Sequence, residues 1–252
     1  MRERKIDTLV VRWYERQEKS PGIVPRWLAA AGEHLPEAMP RRFGATEPLR
    51  GRLDRDGEAG FREQHAAADQ LFFLAGTPPV HHGALATTRS RIYGPTAVHS
   101  LHAELEPDDE RVRRFALALT HPAMAYVSAS VAGGEVLDGG TLYGPAERPA
   151  EPYLAPLGDW LGLPPQPPVW CWFGPAYARL VQRRISGTPV AGGLLYTGGP
   201  WVDERLHARL PEVDPARKAA PRMPRGLRRS TLQLLMARSG SAFSNGGSTG
   251  GR

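Results

Sequence analysis

Hydrophobic and polar residues alternate along the first half of the chain with two different periods. Residues 6–15 are rich in Leu, Val, Trp and Tyr, a composition that favours a β-strand. From Ile23 to Leu35 the apolar residues recur every three or four positions, which predicts an amphipathic helix. Ser20 and Pro21 precede this run and are typical of the start of a helix.

The following stretch predicts a connection, a helix and two strands. Residues 36–56 predict a long connection. Apolar positions at helical spacing predict a helix over 57–74, closed by Gly76. Residues 80–90 and 98–105 are candidate strands, because both are short segments rich in apolar residues and bounded by turn residues.

The next elements complete a recognisable order. The acidic run 108–110 predicts another helix start, because acidic side chains favour the positive end of the helix dipole. A strand is predicted over 125–132, and Gly133–Gly134 predicts a two-residue hairpin turn. The order β-α-α-β-β-α-β predicts an α+β fold. It has a mainly antiparallel sheet with helices packed on it, in a ferredoxin-like βαββαβ unit with one extra helix.

Proline content and a second set of predicted elements divide the chain further. A proline-rich connection is followed by alternating strands and helices over 169–210, which predict a smaller C-terminal α+β portion of the same or an adjacent domain. The predicted organisation is an α+β unit over 1–143, a connection over 144–168, a second portion over 169–214 and a largely disordered tail over 215–252.

Charge is distributed unevenly along the 252 residues. The whole chain has a formal net charge of +6, yet from Pro215 onward eight residues are basic and none is acidic. The body before the tail is therefore slightly acidic, and the basic pI describes the tail. Cationic tails associate with phosphate backbones, so nucleic-acid association through the tail is one prediction. Its candidate residues are Arg217, Lys218, Arg222, Arg225, Arg228 and Arg229.

Composition restricts the class of protein. Hydrophobic residues make up 41% of the chain and charged residues 23%, which is typical of a globular protein. The single cysteine, Cys171, excludes an intrachain disulfide and is predicted to be a buried thiol. Because no signal-peptide core or apolar run of membrane-spanning length is seen, we expect a cytoplasmic protein. Its Arg-rich, Lys-poor usage indicates a bacterial source.

Two pairs of histidines are candidate metal ligands. His81 and His82 adjoin, and His99 and His102 are three residues apart, each pair within a candidate strand. Side chains alternate between the two faces of a strand, so the members of each pair point in opposite directions. We therefore predict no metal site. A pocket that gathered His82 or His102 with Glu104 would instead indicate an enzyme with a dispersed site.

Sequence signatures of nucleotide binding and of a nucleophile elbow are also missing. There is no GxGxxG and no GxxxxGK[ST], and Asp203 and Glu204 would repel an anion after the glycine pair at 198–199. The one match to GxSxG, at 246–250, lies in the Gly- and Ser-rich end of the chain and not between a predicted strand and a predicted helix, which a nucleophile elbow requires. The sequence accordingly predicts no catalytic residue and no cofactor.

One segment suggests recognition of a partner. Aromatic residues on a predicted strand are followed by a helix bearing arginines, and this combination suits contact with an anionic or planar partner. The candidate partner-binding residues are Trp170, Trp172, Tyr177, Arg179, Arg183 and Arg184. The sequence thus predicts a bacterial protein that binds a protein partner, one form of which is a toxin-neutralising immunity protein.

Overall fold

The computed structural model describes residues 3–17, 22–90, 96–143, 146–148, 168–182 and 185–198. The strands within these ranges are β1 (Arg4–Arg16), β2 (Arg42–Gly44), β3 (Leu71–Ala75), β4 (Val80–Ala86), β5 (Thr96–Ala103), β6 (Met124–Asp138), β7 (Thr141–Tyr143), β8 (Trp170–Phe173), β9 (Thr188–Val190) and β10 (Gly193–Tyr196). The α-helices are α1 (Ile23–His34), α2 (Leu53–Ala67), α3 (Glu110–Ala118) and α4 (Pro175–Val181). A short 3-10 helix covers Pro36–Ala38.

All described strands belong to one antiparallel sheet. Its order is β2-β3-β4-β5-β1-β6-β8-β10-β9, with β7 paired to the end of β6. The mixed α+β fold with a large antiparallel sheet is confirmed. Within the sheet, β4, β5, β1 and β6 are neighbours in the order of a ferredoxin-like unit, and α1 and α3 are its two crossover helices.

The C-terminal described strands extend this sheet. Tyr126 to Ala129 of β6 pair with Trp170 to Phe173 of β8, and β10 and β9 continue beyond β8. The described part of the second α+β portion therefore shares the sheet of the first. The predicted domain boundaries themselves stay predictions, and most of the connection and all of the basic tail lie outside the described residues.

The predicted helix over 57–74 is wrong in its second half. The helix α2 begins at Leu53 and ends at Ala67, and Leu71–Ala75 forms strand β3. In β3 the side chains of Phe72 and Leu74 are buried, while their neighbours are only partly buried. A short apolar run fits a helix and a strand equally well until its neighbours are known. Likewise, β2 lies inside the predicted connection over 36–56.

The predicted hairpin at Gly133–Gly134 is also wrong. Strand β6 continues through this pair to Asp138, and two residues of β6 lie opposite Asp7 of β1, which makes a β-bulge. The backbone N–H of Gly134 donates to Oδ1 of Asp7 at 3.1 Å. The chain reverses instead at 139–140, where φ is 58° and 89°, a region that favours glycine.

Side chains alternate between two faces of the sheet along β1. Trp13 lies on the face covered by α1 and α3, which we call the helix face, and Arg12 lies on the opposite face. On the helix face, Trp13, Trp27 and Phe115 meet edge to face with ring centroids 5.0–5.9 Å apart. This aromatic cluster is fully buried and forms the centre of the core.

Within the described ranges, none of the helices combines the length and the apolar character needed to cross a membrane.

Candidate functional site

A cleft of about 450 Å³ lies between α4 and the β9–β10 hairpin. Its helix side is formed by Pro175, Ala178, Arg179 and Gln182, and its hairpin side by residues 189–194. Among these lining residues Arg179 is the only charged one, and its side chain is exposed. The described lining of the cleft therefore offers one guanidinium and one side-chain amide beside apolar side chains and backbone.

Local sequence explains how the cleft is built. Pro175 occupies the first turn of α4, where its missing N–H costs no helical hydrogen bond. A side chain at Gly174 would place its Cβ only 2.0 Å from the Met124 carbonyl oxygen, so glycine lets the chain turn closely against β6. On the other side, Ala191 and Gly192 both have positive φ, 50° and 74°, in the two-residue turn between β9 and β10.

The predicted aromatic partner-binding residues lie inside the protein. Trp170, Trp172 and Tyr177 are each at most 1% exposed. The Trp172 Nε1 donates to the Val190 carbonyl at 2.9 Å, and the Tyr177 ring stacks on Phe173 at 6.1 Å. Burial raises the pKa of Tyr177 well above its ordinary value. The expectation of surface aromatics is corrected for these three side chains, because they pack within the sheet and under α4.

The predicted arginines separate into two groups. Arg179 is exposed and lines the cleft, while Arg183 and Arg184 lie outside the described residues. The six candidate cations of the tail also lie outside them. Partner binding in this region therefore stays a prediction, and among the described residues it depends on Arg179.

A second polar arrangement lies on the helix face, which we call the Glu15 cluster (Glu15, Arg26, His99 and His121). The Glu15 carboxylate is 1% exposed and accepts hydrogen bonds from three side chains. Its Oε1 is 3.0 Å from Nε2 of His99, and its Oε2 is 2.5 Å from Nε2 of His121 and 2.9 Å from a guanidinium nitrogen of Arg26. The cluster connects the end of β1 and the middle of β5 with α1 and the loop after α3.

Hydrogen bonds to the backbone set the orientation of both imidazoles in this cluster. The Nδ1 of His99 accepts from the Ala86 N–H at 3.0 Å, and the Nδ1 of His121 accepts from the Ala123 N–H at 3.3 Å. Each Nε2 is thus the N–H that donates to Glu15. Because both nitrogens of each ring are engaged within the protein, neither can accept a proton from a substrate in this arrangement. The cluster is suited to holding the fold together.

The charge state of Glu15 follows from competing effects. Burial disfavours its ionised form, but the hydrogen bonds from His121 and His99 and the charge of Arg26 outweigh burial and hold its pKa well below the usual range. Sequence reasoning did not identify this cluster. One signal was available: Glu15 follows Leu9, Val11 and Trp13 at strand period, so it is expected on the same face of β1 as these apolar residues.

The histidines behave partly as the alternation of side chains predicts. His99 lies on the helix face and His102 on the opposite face of β5. His82 of β4 is the cross-strand partner of His102, with ring centroids 5.6 Å apart. Glu104 pairs with Arg4 and lies 3.5 Å from Nε2 of His81. Within the described residues, the carboxylate of Glu104 contacts those two side chains. No cluster of three or more metal-ligating side chains is found in the same described residues.

Comparisons with known proteins leave the chain without a family. No protein-family model matches it, and no curated protein matches it. A solved structure of a T6SS protein from Pseudomonas aeruginosa superimposes with a TM-score of 0.49 at 12% sequence identity, covering 78% of this chain and 71% of that one. A likeness this low supports no argument about function.

Proposed function

We propose that this protein acts by binding a protein partner, and that the cleft between α4 and the β9–β10 hairpin receives an acidic segment of that partner. The observation that carries the proposal is the position of Arg179, the one charged side chain among the described residues that line the cleft. A guanidinium forms paired hydrogen bonds with a carboxylate, and arginine is enriched in protein interfaces. Neutralisation of a toxin, as in an immunity-type protein, is the finer form of this proposal.

Arg179 differs from those surface arginines of the chain that already have a carboxylate partner. Arg55, Arg62 and Arg111 each form an ion pair with a nearby carboxylate on the same surface. Arg179 forms no ion pair within the part of the chain that the structure describes. Its charge is therefore available to an external carboxylate without first breaking an internal pair.

The cleft also suits an extended segment. Its hairpin side presents backbone at 189–194, and its apolar contacts come from Pro175, Ala178 and Leu194. Apolar contacts combined with one charge give both burial and orientation, which is the usual composition of a specific binding site. A partner segment with an acidic residue between apolar ones fits this arrangement.

Affinity capture tests the proposal. The tagged full-length protein is incubated with lysate of its host, and the retained proteins are compared for wild type, Arg179→Glu and Arg62→Ala. We expect one stoichiometric partner on wild type and on the Arg62→Ala control, because Arg62 lies on α2, away from the cleft. Loss of a central interface arginine costs about 2 kcal/mol or more, so Arg179→Glu should weaken capture by at least about tenfold.

Two results would contradict the proposal. The first is a partner that Arg179→Glu retains as well as wild type does. The second is retention of nucleic acid alone, which disappears when residues 215–252 are deleted and would favour the tail as the functional element. Circular dichroism of each variant checks that the substitutions leave the fold intact.

A further inference from the structure

His82 and His102, which we call the histidine pair, lie side by side on the face of the sheet opposite α1 and α3. They are direct cross-strand partners in the β4–β5 ladder, and their rings are 5.6 Å apart with planes inclined by 72°. Both side chains are half-buried, and Phe73 of β3 lies against His82 at 5.8 Å between ring centroids. The sheet backbone holds both rings in position without help from a flexible loop.

The histidine pair lacks the hydrogen bonds that three other histidines have. His65, His99 and His121 each contact a backbone or carboxylate oxygen. Within the described residues, no such contact is made by His82 or His102, and the Nδ1 of His102 is buried without a hydrogen-bond partner. A buried polar atom without a partner is costly and calls for an explanation, such as a bound ion.

The spacing of the two rings fits a shared metal ion. Nitrogen–zinc distances are about 2.0–2.1 Å, so two imidazoles on one tetrahedral ion have ring centroids about 5–6 Å apart. Neutral imidazole is the form that binds metal, and burial, His82 and Arg12 lower the pKa of His102 to about 3, so this ring is neutral at pH 7. Burial also lowers the pKa of His82.

Two charged side chains near the histidine pair have opposite effects on its protonation. Arg12 lies on the same face and disfavours positive charge at His102, whereas Glu47 favours positive charge at His82. We propose that His82 and His102 together bind one divalent transition-metal ion of the zinc and copper class, with water completing its coordination. Imidazole ligands suit these ions, and they select against calcium and magnesium, which take oxygen ligands.

Titration calorimetry with Zn²⁺ on the full-length protein tests this site. His82→Asn and His102→Asn are compared with wild type and with His34→Asn, a control histidine on α1. Loss of an outer-shell partner alone weakens metal binding by about 10–100-fold, and loss of a ligand should weaken it at least as much. We therefore expect each variant of the pair to lose about tenfold or more in affinity, and the His34→Asn control to lose none.

Spectroscopy gives an independent measurement. Cu²⁺ bound to the wild-type protein should show electron paramagnetic resonance couplings to two imidazole nitrogens, and each single variant should show one or none. The site would be overturned by wild-type Zn²⁺ affinity in a folded His82→Asn or His102→Asn variant, or by the absence of Zn²⁺ binding to the wild-type protein. Because His82 is half-exposed, its substitution provides the result even if His102→Asn fails to fold.

Discussion

Two histidines three residues apart on β5 have opposite surroundings. His99 faces the helices and belongs to the Glu15 cluster, in which every imidazole nitrogen has a partner within the protein. His102 faces the other side and has a buried nitrogen without one in the described structure. In the Glu15 cluster every imidazole nitrogen is hydrogen-bonded, and the cluster stabilises the fold. His102 keeps a nitrogen that could still bind a ligand. The difference arises from which elements cover each face of the same strand.

The largest expected loss of stability follows from removing the carboxylate of Glu15. Glu15→Ala leaves Arg26 and two imidazoles without their shared acceptor in a buried site. Breaking a buried ion pair by removing one partner costs about 3–5 kcal/mol, and we expect a loss of that size in the free energy of unfolding. Urea denaturation monitored by circular dichroism measures it.

A surface carboxylate provides the control for this prediction. Glu58 forms an exposed ion pair with Arg62 four residues along α2. Exposed pairs of this kind contribute about 0.3–0.5 kcal/mol, so Glu58→Ala should change the stability little. Equal losses in Glu15→Ala and Glu58→Ala would contradict the assignment of the Glu15 cluster as a stabilising centre.

Matched substitutions on β5 compare the two faces directly. His99→Leu removes a donor from a buried carboxylate, and leaving a buried charged group short of a partner should cost about 2–3 kcal/mol. His102→Leu replaces a ring that has no hydrogen bond at its buried nitrogen, so its cost should stay below about 1 kcal/mol. Both values come from chemical denaturation at pH 7 without metal. Equal destabilisation by the two variants would show that the two faces do not differ as described.

A smaller effect is expected in the pH dependence of stability, which should differ between His102 and the Glu15 cluster. The pKa of His102 is lowered to about 3 from an ordinary value of about 6.5, so the unfolded chain binds the proton first. Stability from this group is present above pH of about 6.5 and is lost as the pH falls toward 3. The slope is at most about 1.4 kcal/mol per pH unit. His102→Leu should therefore reduce the slope between about pH 6.5 and 5.

Glu15 acts in a lower pH window with the same sign. Its folded-state pKa is depressed, so its contribution is present above the ordinary value of about 4.3 and is lost as the pH falls below it. Glu15→Gln should flatten the stability profile below about pH 4.5 and leave the slope near pH 6 unchanged. Denaturation series at closely spaced pH values measure the slope of stability against pH for both variants. The assignment would be contradicted if Glu15→Gln changed the slope near pH 6 and His102→Leu changed it below about pH 4.5.

Local patterns predicted much of the fold. The amphipathic run before Leu35 and the acidic run at 108–110 identified α1 and α3, and the order of elements identified the ferredoxin-like core. The segment 71–74 was misassigned because four consecutive apolar residues have no period of their own. The glycine pair at 133–134 was misassigned because a bulge and a hairpin turn both require glycine-like backbone, and only pairing with β1 distinguishes them.

The candidate sites depended more strongly on long-range contacts. Aromatic residues beside arginines indicated a surface, but Trp170 and Trp172 are buried because their side chains belong to the hydrophobic core on the helix face. Arg179 remains available because the hairpin at 188–196 forms a cleft beside it. Neither the burial nor the cleft is encoded in the spacing of residues within one segment.

Features that depend on near neighbours in the chain followed from the residues alone. Alternation along a strand placed His99 and His102 on opposite faces, and the count of charged residues located the basic segment after 215. The tertiary structure alone decided that His82 lies beside His102 and that three donors converge on Glu15. Side-chain direction is a local property of the backbone, whereas strand register and burial depend on the packing of segments far apart in sequence.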